Sequence, residues 1–183
     1  MGISEELWEA KGTKGIKGTQ GKFVKVSAVP SSSFSSLFKE VPMKITLSGR
    51  PIIPGQARGL ALVSSEPLSF WGGYDYQTGT IIDRRHPLAG ECAAGRVLAL
   101  PFTRGSSTTT AVLLEAVKAG TAPAAILTTA PDSFFALASI VSDEMYAKPI
   151  PLIVLAEADF TQLQTGEVVS VTADGKVMVM RDR

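Results

Sequence analysis

The residues best suited to chemistry stand together in one run, LPFTRGSSTTT, at positions 100–110. An apolar segment stops at Pro101, and a guanidinium follows at Arg104. After Gly105, five hydroxyl side chains stand in a row from Ser106 to Thr110. The next residues, AVLLEAVKAG, have helical spacing, so the run occupies a strand-to-helix corner. The first N–H groups of a helix have no internal partner and carry partial positive charge. Such a corner attracts anions, and here Arg104 and the hydroxyls of Ser106, Ser107 and Thr108 add to that attraction.

Three readings of the corner compete. In the first, Ser106 or Ser107 caps the helix and the threonines are exposed filler. In the second, a serine is a hydrolytic nucleophile served by His86 and an aspartate, but the G-x-S-x-G elbow is absent because Ser106 follows Gly105 directly. In the third, one serine works as a general base in its alkoxide form. An alcohol, by analogy with water at ~15.7, ionises roughly nine units above neutral pH, which is about 12 kcal/mol at ~1.36 kcal/mol per unit. A helix terminus returns at most ~2 kcal/mol, and Arg104 does not close the gap. Alone, the corner binds anions. Catalysis would need more positive charge from a metal or a second chain, with water shut out.

Two other segments carry polar or aromatic side chains worth placing. FWGGYDYQTG presents Phe70 and Trp71 beside Gly72 and Gly73, a loop that allows close backbone approach to a ligand or partner. Packing in a core or an interface suits the two aromatics better than stacking on a ligand. Asp83, Arg84, Arg85 and His86 end a short β-branched run, where a solvated turn with an internal ion pair competes with a place in a cleft. Asp75 is a further partner for Arg84 or Arg85. His86 is also a candidate phosphocarrier, which makes a non-catalytic anion-binding or phosphohistidine-type module the rival function.

The elements that must hold these residues follow from periodicity and turn chemistry. KITLSG and ARGLALVSS read as strands, GTIIDRR as a short one, and GRVLALPF as a fuller one ending at proline. Residues 107–119 read as a helix with Val112, Leu113, Ala116 and Val117 inward and Gly120 as its C-terminal cap. AAILTT is a buried strand, PDSFFALASIVSDEMYA a second helix, PIPLIVL a third buried strand and DFTQL a helical turn. GEVVSVTA and KVMVMR form a hairpin about Ala173, Asp174 and Gly175, with MVMR expected at a sheet edge. Buried strands joined by helices imply parallel crossovers. The fold class is therefore α/β, with a mixed sheet or barrel-like core and two main helices.

Residues 1–42 differ in composition. KGTKGIKGTQG places four glycines and three lysines in eleven residues, and SAVPSSSFSS follows. That density of Gly and Ser is entropically expensive to order, so 1–42 reads as a flexible extension and 43–183 as the folded domain. The whole chain holds 18 basic and 17 acidic side chains, a near-zero balance that argues against nucleic acid or an anionic membrane as partner. No apolar run nears the ~20 residues of a membrane span. One Cys and one His cannot build a structural zinc site or an internal disulfide. Cys92 reads as inert, and no metal is assigned to this chain. A cytoplasmic protein is expected, although Lys11 to Lys25 followed by SSSFSS leaves an organellar leader open.

Taken together, FWGG, TGTIIDRRHP, LPFTRGSS and GTAPAAI closely resemble the small, swivelling subunit or domain of aconitase X enzymes, from about Met43 to Val179. The resemblance implies a swivelling β/β/α domain that works with a larger catalytic subunit, which holds iron or an iron–sulfur cluster through cysteines. Members of that family dehydrate cis-3-hydroxy-L-proline, or a phosphorylated mevalonate in archaea. It implies that Ser106 is the general base and that Arg104, Gly105, Ser107 and Thr108 hold a small carboxylate substrate. Trp71, Gly72, Gly73, Asp83, Arg84 and His86 would line the cleft or the seam with the large subunit. Thr108 stands where related aconitases place a substrate-binding arginine. The missing positive charge at the corner would then arrive with the partner.

Overall fold

The computed structural model describes residues 43–105 and 107–181. The expected extension over 1–42 lies outside the described residues. Eight strands form one sheet, in the order β1-β10-β9-β3-β6-β7-β8-β2. They are β1 (Met43–Ser48), β2 (Arg50–Ile53), β3 (Ala57–Val63), β6 (Val97–Ala99), β7 (Ala125–Thr128), β8 (Leu152–Val154), β9 (Val168–Val171) and β10 (Lys176–Arg181). A separate two-stranded ribbon pairs β4 (Tyr74–Asp75) with β5 (Thr80–Ile81). The helices are α1 (Thr108–Ala119), α2 (Ser133–Tyr146) and the single-turn α3 (Glu157–Phe160).

The sheet is mixed, as its connections require. From β3 through β6 and β7 to β8 every pairing is parallel, and α1 and α2 provide the crossovers between β6, β7 and β8. Around β9 and β10 every pairing is antiparallel. The buried strands alternate their apolar side chains between two cores. Leu98 and Ile126 face the cluster containing Phe70, Leu113 and Phe135, on the side of α1 and α2. Val97, Ala99, Ala125 and Leu127 face the second cluster with Val169, Val177 and Phe160. Both faces being apolar explains why these strands read as continuous hydrophobic runs.

Two details of the eight-stranded sheet depart from the sequence expectation, as does the two-residue β4 inside the stretch read as a loop. RPII forms a strand despite Pro51, which is tolerated because β2 is an edge and its register shifts between Pro51 and Ile53. MVMR is not an edge, since β10 lies between β1 and β9. Pairing with residues more than 100 positions upstream is invisible to local pattern.

The two outermost strands of the eight, β1 and β2, are consecutive in sequence with only Gly49 between them. The sheet must therefore curl until its ends meet at that corner. Gly49 donates its N–H to Gly175 O at 2.9 Å. A Cβ at this position would lie 2.4 Å from Ile153 Cγ2, so the corner closes only over glycine.

Candidate active site

The hydroxyl corner is suspended between two backbone ties. β6 leads through Pro101 to Thr103, which forms a parallel bridge with Leu68. The Thr103 N–H donates to Asp132 Oδ2 at 2.8 Å, and the Arg104 N–H donates to Leu68 O at 2.9 Å. Asp132 is also the N-cap of α2, its Oδ1 accepting from Phe134 N and Phe135 N. Gly105 has φ +157°, a conformation that L side chains rarely adopt, and a Cβ there would lie 3.2 Å from Thr109 Oγ1. Ser106 itself lies outside the described residues.

The hydroxyl run divides by role. Thr109 and Thr110 are buried, and Thr110 Oγ1 donates to Phe134 O at 3.1 Å, tying α1 to α2. They are packing residues, not exposed filler. Ser107 is exposed and stands at the N-cap position, yet its side chain makes no capping bond. Thr108 opens the helix, half-buried. No acidic side chain of α1 occupies its first turn, so the helix itself does not neutralise its positive end.

Three segments distant in sequence meet in a polar pocket of about 200 Å³. Glu66, Pro67 and Ser69 come from the loop after β3, Asp83, Arg85 and His86 from the loop after β5, and Arg104 from the corner. Of the site residues expected from sequence, Arg104, Asp83 and His86 are thus brought together. Arg84 is exposed and does not line this pocket; its neighbour Arg85 does. An Asp turn produces that choice, because Asp83 Oδ1 accepts from Arg85 N at 3.0 Å. Arg85 Nε stands 4.0 Å from the same oxygen. Asp75 pairs with neither arginine. It accepts from Gln77 N and Thr78 Oγ1, and the Gln77 bond, then the Thr78 bond, hold its carboxyl below the usual carboxylate range.

His86 is 6% exposed. Its Nδ1 accepts from Leu88 N at 3.2 Å and its Nε2 stands 3.2 Å from Glu66 O. A phosphocarrier needs an accessible ring nitrogen with a free lone pair, and His86 offers neither. In the FWGG loop, Phe70 is core, stacked on Tyr74 at 5.1 Å and edge-on to Phe135 at 5.4 Å. Trp71 is 71% exposed. Gly72 has φ +69° with open space beside it, whereas the close approach at Gly73 is internal, against Ser69 O. Glu66 and Ser69 went unnoticed in the sequence, where EPLSF carried the only hint, and Arg85 was weighed there only as a member of the DRRH cluster.

Among the described residues, no group of three or more His, Cys, Asp or Glu is placed to hold a metal ion. Cys92 is exposed and its Sγ–H points at Thr78 O, 3.5 Å away. The described residues do not fit an iron site. A second cavity, about 410 Å³, is built from Gln164 to Val168 with Met180 and Arg181. There the Glu167 carboxylate is already taken by Arg181 Nε and Gln164 N. Also among the described residues, no helix is long and apolar enough to cross a membrane.

A family model described as the aconitase X swivel domain matches residues 46–180. The chain belongs to the aconitase X swivel family. It is 42% identical over 133 residues to a cis-3-hydroxy-L-proline dehydratase of Pseudomonas aeruginosa, a match that covers 73% of this chain and 23% of that protein. The chain thus spans about a quarter of the length of that relative. It is 34% identical over 145 residues to a phosphomevalonate dehydratase small subunit of Methanosarcina acetivorans, covering 78% of this chain and 95% of the relative. The crystal structure of Thermococcus kodakaraensis aconitase X in its holo-form superposes with a TM-score of 0.66 at 35% identity, over 74% of this chain and 98% of that one. The mixed, curled sheet with its helical layer is the swivel fold of aconitase X.

Proposed function

We propose that this aconitase X swivel domain serves as the small subunit of a hydro-lyase, and that Ser106 is the base that starts the dehydration. A large partner closes over the pocket and supplies the positive charge that the corner lacks. Ser106 in its alkoxide form takes the proton from the carbon next to the substrate carboxylate. The C–H electron pair becomes the new C=C bond, and the hydroxyl on the neighbouring carbon leaves as hydroxide, which takes up the proton held on Ser106 to become water and restores the alkoxide. Arg104 and Ser107 hold the carboxylate or the alkoxide, with the positive end of α1 behind them. One Cys and one His leave this chain short of cluster ligands, so an iron or iron–sulfur group belongs to the partner.

The observation that carries this reading is the convergence of Arg104, Asp83, Arg85 and His86 on one pocket, beside a helix whose own first turn carries no acidic side chain. The relatives named as dehydratases support it. Glu66 and Asp83 share the pocket with the two arginines, so both signs of charge are present. A zwitterion such as cis-3-hydroxy-L-proline suits that balance better than a phosphate dianion.

Reconstitution with a cysteine-rich large subunit tests the assignment. The complex should dehydrate a hydroxyproline, and Ser106→Ala should lower turnover by roughly 10²–10⁴, the range of a general base. Unchanged turnover in that variant would remove Ser106 from the mechanism. Full activity of the isolated chain would remove the partner.

A further inference from the structure

We infer that His86 is a positioning residue that sets the distance between the two walls of the pocket. The inference rests on reading that pocket as the substrate site. The Leu88 N–H donates to Nδ1, so the ring proton sits on Nε2 and is donated to Glu66 O at 3.2 Å. Glu66 belongs to one wall, with Pro67 and Ser69. His86 belongs to the other, with Asp83 and Arg85. Among the described residues, this is the one hydrogen bond that joins 64–69 directly to 83–90.

The bond falls on a carbonyl that is already constrained. Ser64 Oγ also donates to Glu66 O, at 3.2 Å, and accepts from Glu66 N at 3.0 Å. The loop after β3 is therefore a small rigid turn, and His86 fixes where that turn sits. Two residues on, Leu68 O receives the Arg104 N–H. A shift of the turn is carried to the corner proposed to hold the substrate anion, while both ring nitrogens of His86 stay engaged within the protein. Burial of a neutral imidazole with both nitrogens satisfied is how a side chain keeps such a position.

Two variants separate this role from general packing. In His86→Gln the amide Nε2 replaces the donor to Glu66 O. In His86→Asn the amide oxygen keeps the Leu88 bond, but the side chain is too short to reach Glu66. With the reconstituted complex and cis-3-hydroxy-L-proline, H86N should raise KM roughly three- to tenfold, the factor carried by one neutral hydrogen bond, with a smaller change in kcat. H86Q should restore KM to within about twofold. On the full free chain, amide exchange at Arg104 should accelerate in H86N and stay at the wild-type rate in H86Q. Equal behaviour of the two variants in exchange overturns the inference. So does a rescue by Asn instead of Gln. If the wild-type complex shows no turnover, the functional reading fails, and the exchange comparison still decides the role of His86. Should H86N melt too early to assay, H86Q decides: wild-type exchange supports the inference, and acceleration overturns it.

Discussion

The carboxylate of Asp132 holds two elements at once, since Oδ1 caps α2 and Oδ2 receives the N–H of Thr103, the residue before Arg104. Removing it leaves a helix start uncapped, worth ~1 kcal/mol, and a buried N–H without a partner, worth about 1–3 kcal/mol. Asp132→Ala should therefore lose about 2–4 kcal/mol in urea unfolding, and Asp132→Asn should lose less because it keeps an acceptor. Stability unchanged in both variants would show that the corner is held by other means. Tyr74 makes a second prediction at this scale. Burial first, then the charges of Cys92 and Asp75, push its phenol above the ordinary tyrosine range, while its hydroxyl donates to Thr121 O at 2.7 Å. The folded state keeps that proton after the unfolded chain has released it, so stability falls as pH rises above ~10. In a spectrophotometric titration, one of the three tyrosines should ionise only after the other two, or with unfolding.

At the scale of elements, helix ends show what residue types can and cannot announce. Gly120 closes α1 in the left-handed region, as the sequence leads one to expect. α2 ends on Ala147 at φ +51°, the only non-glycine with positive φ among the described residues. An L residue there is strained by ~1–2 kcal/mol, partly offset by the unfolded-state entropy that glycine adds. Ala147→Gly should raise the unfolding free energy by about 0.5–1 kcal/mol; a lower melting temperature would contradict the argument. The strands and both long helices were legible because their apolar spacing is local. β2 was not, because proline argues against a strand and only its place at an edge excuses it. The site was half legible. Arg104 and the helix start could be read from one run, but Arg85 displaced Arg84 through a turn at Asp83, and Glu66 entered through pairing of loops far apart in sequence.

For the molecule as a whole, the corner at Gly49 decides how the sheet closes. Gly49→Ala would drive a methyl into Ile153, Leu155 and the Val154 carbonyl, an overpacking of about 1–3 kcal/mol. Because both ends of the sheet meet there, unfolding should remain a single cooperative transition at lower denaturant, with near-UV and far-UV signals still coincident. Separate transitions would mean that the two edges are independent. The same corner constrains how the polypeptide is made. Met43 pairs with Arg181 and Arg50 with Val154, so during synthesis β1 has no neighbour until β10 emerges, and β2 none until β8. The parallel strands and their helices can gather early, while β1 waits unpaired, and a nascent chain arrested before Lys176 should remain far more sensitive to protease than the released one.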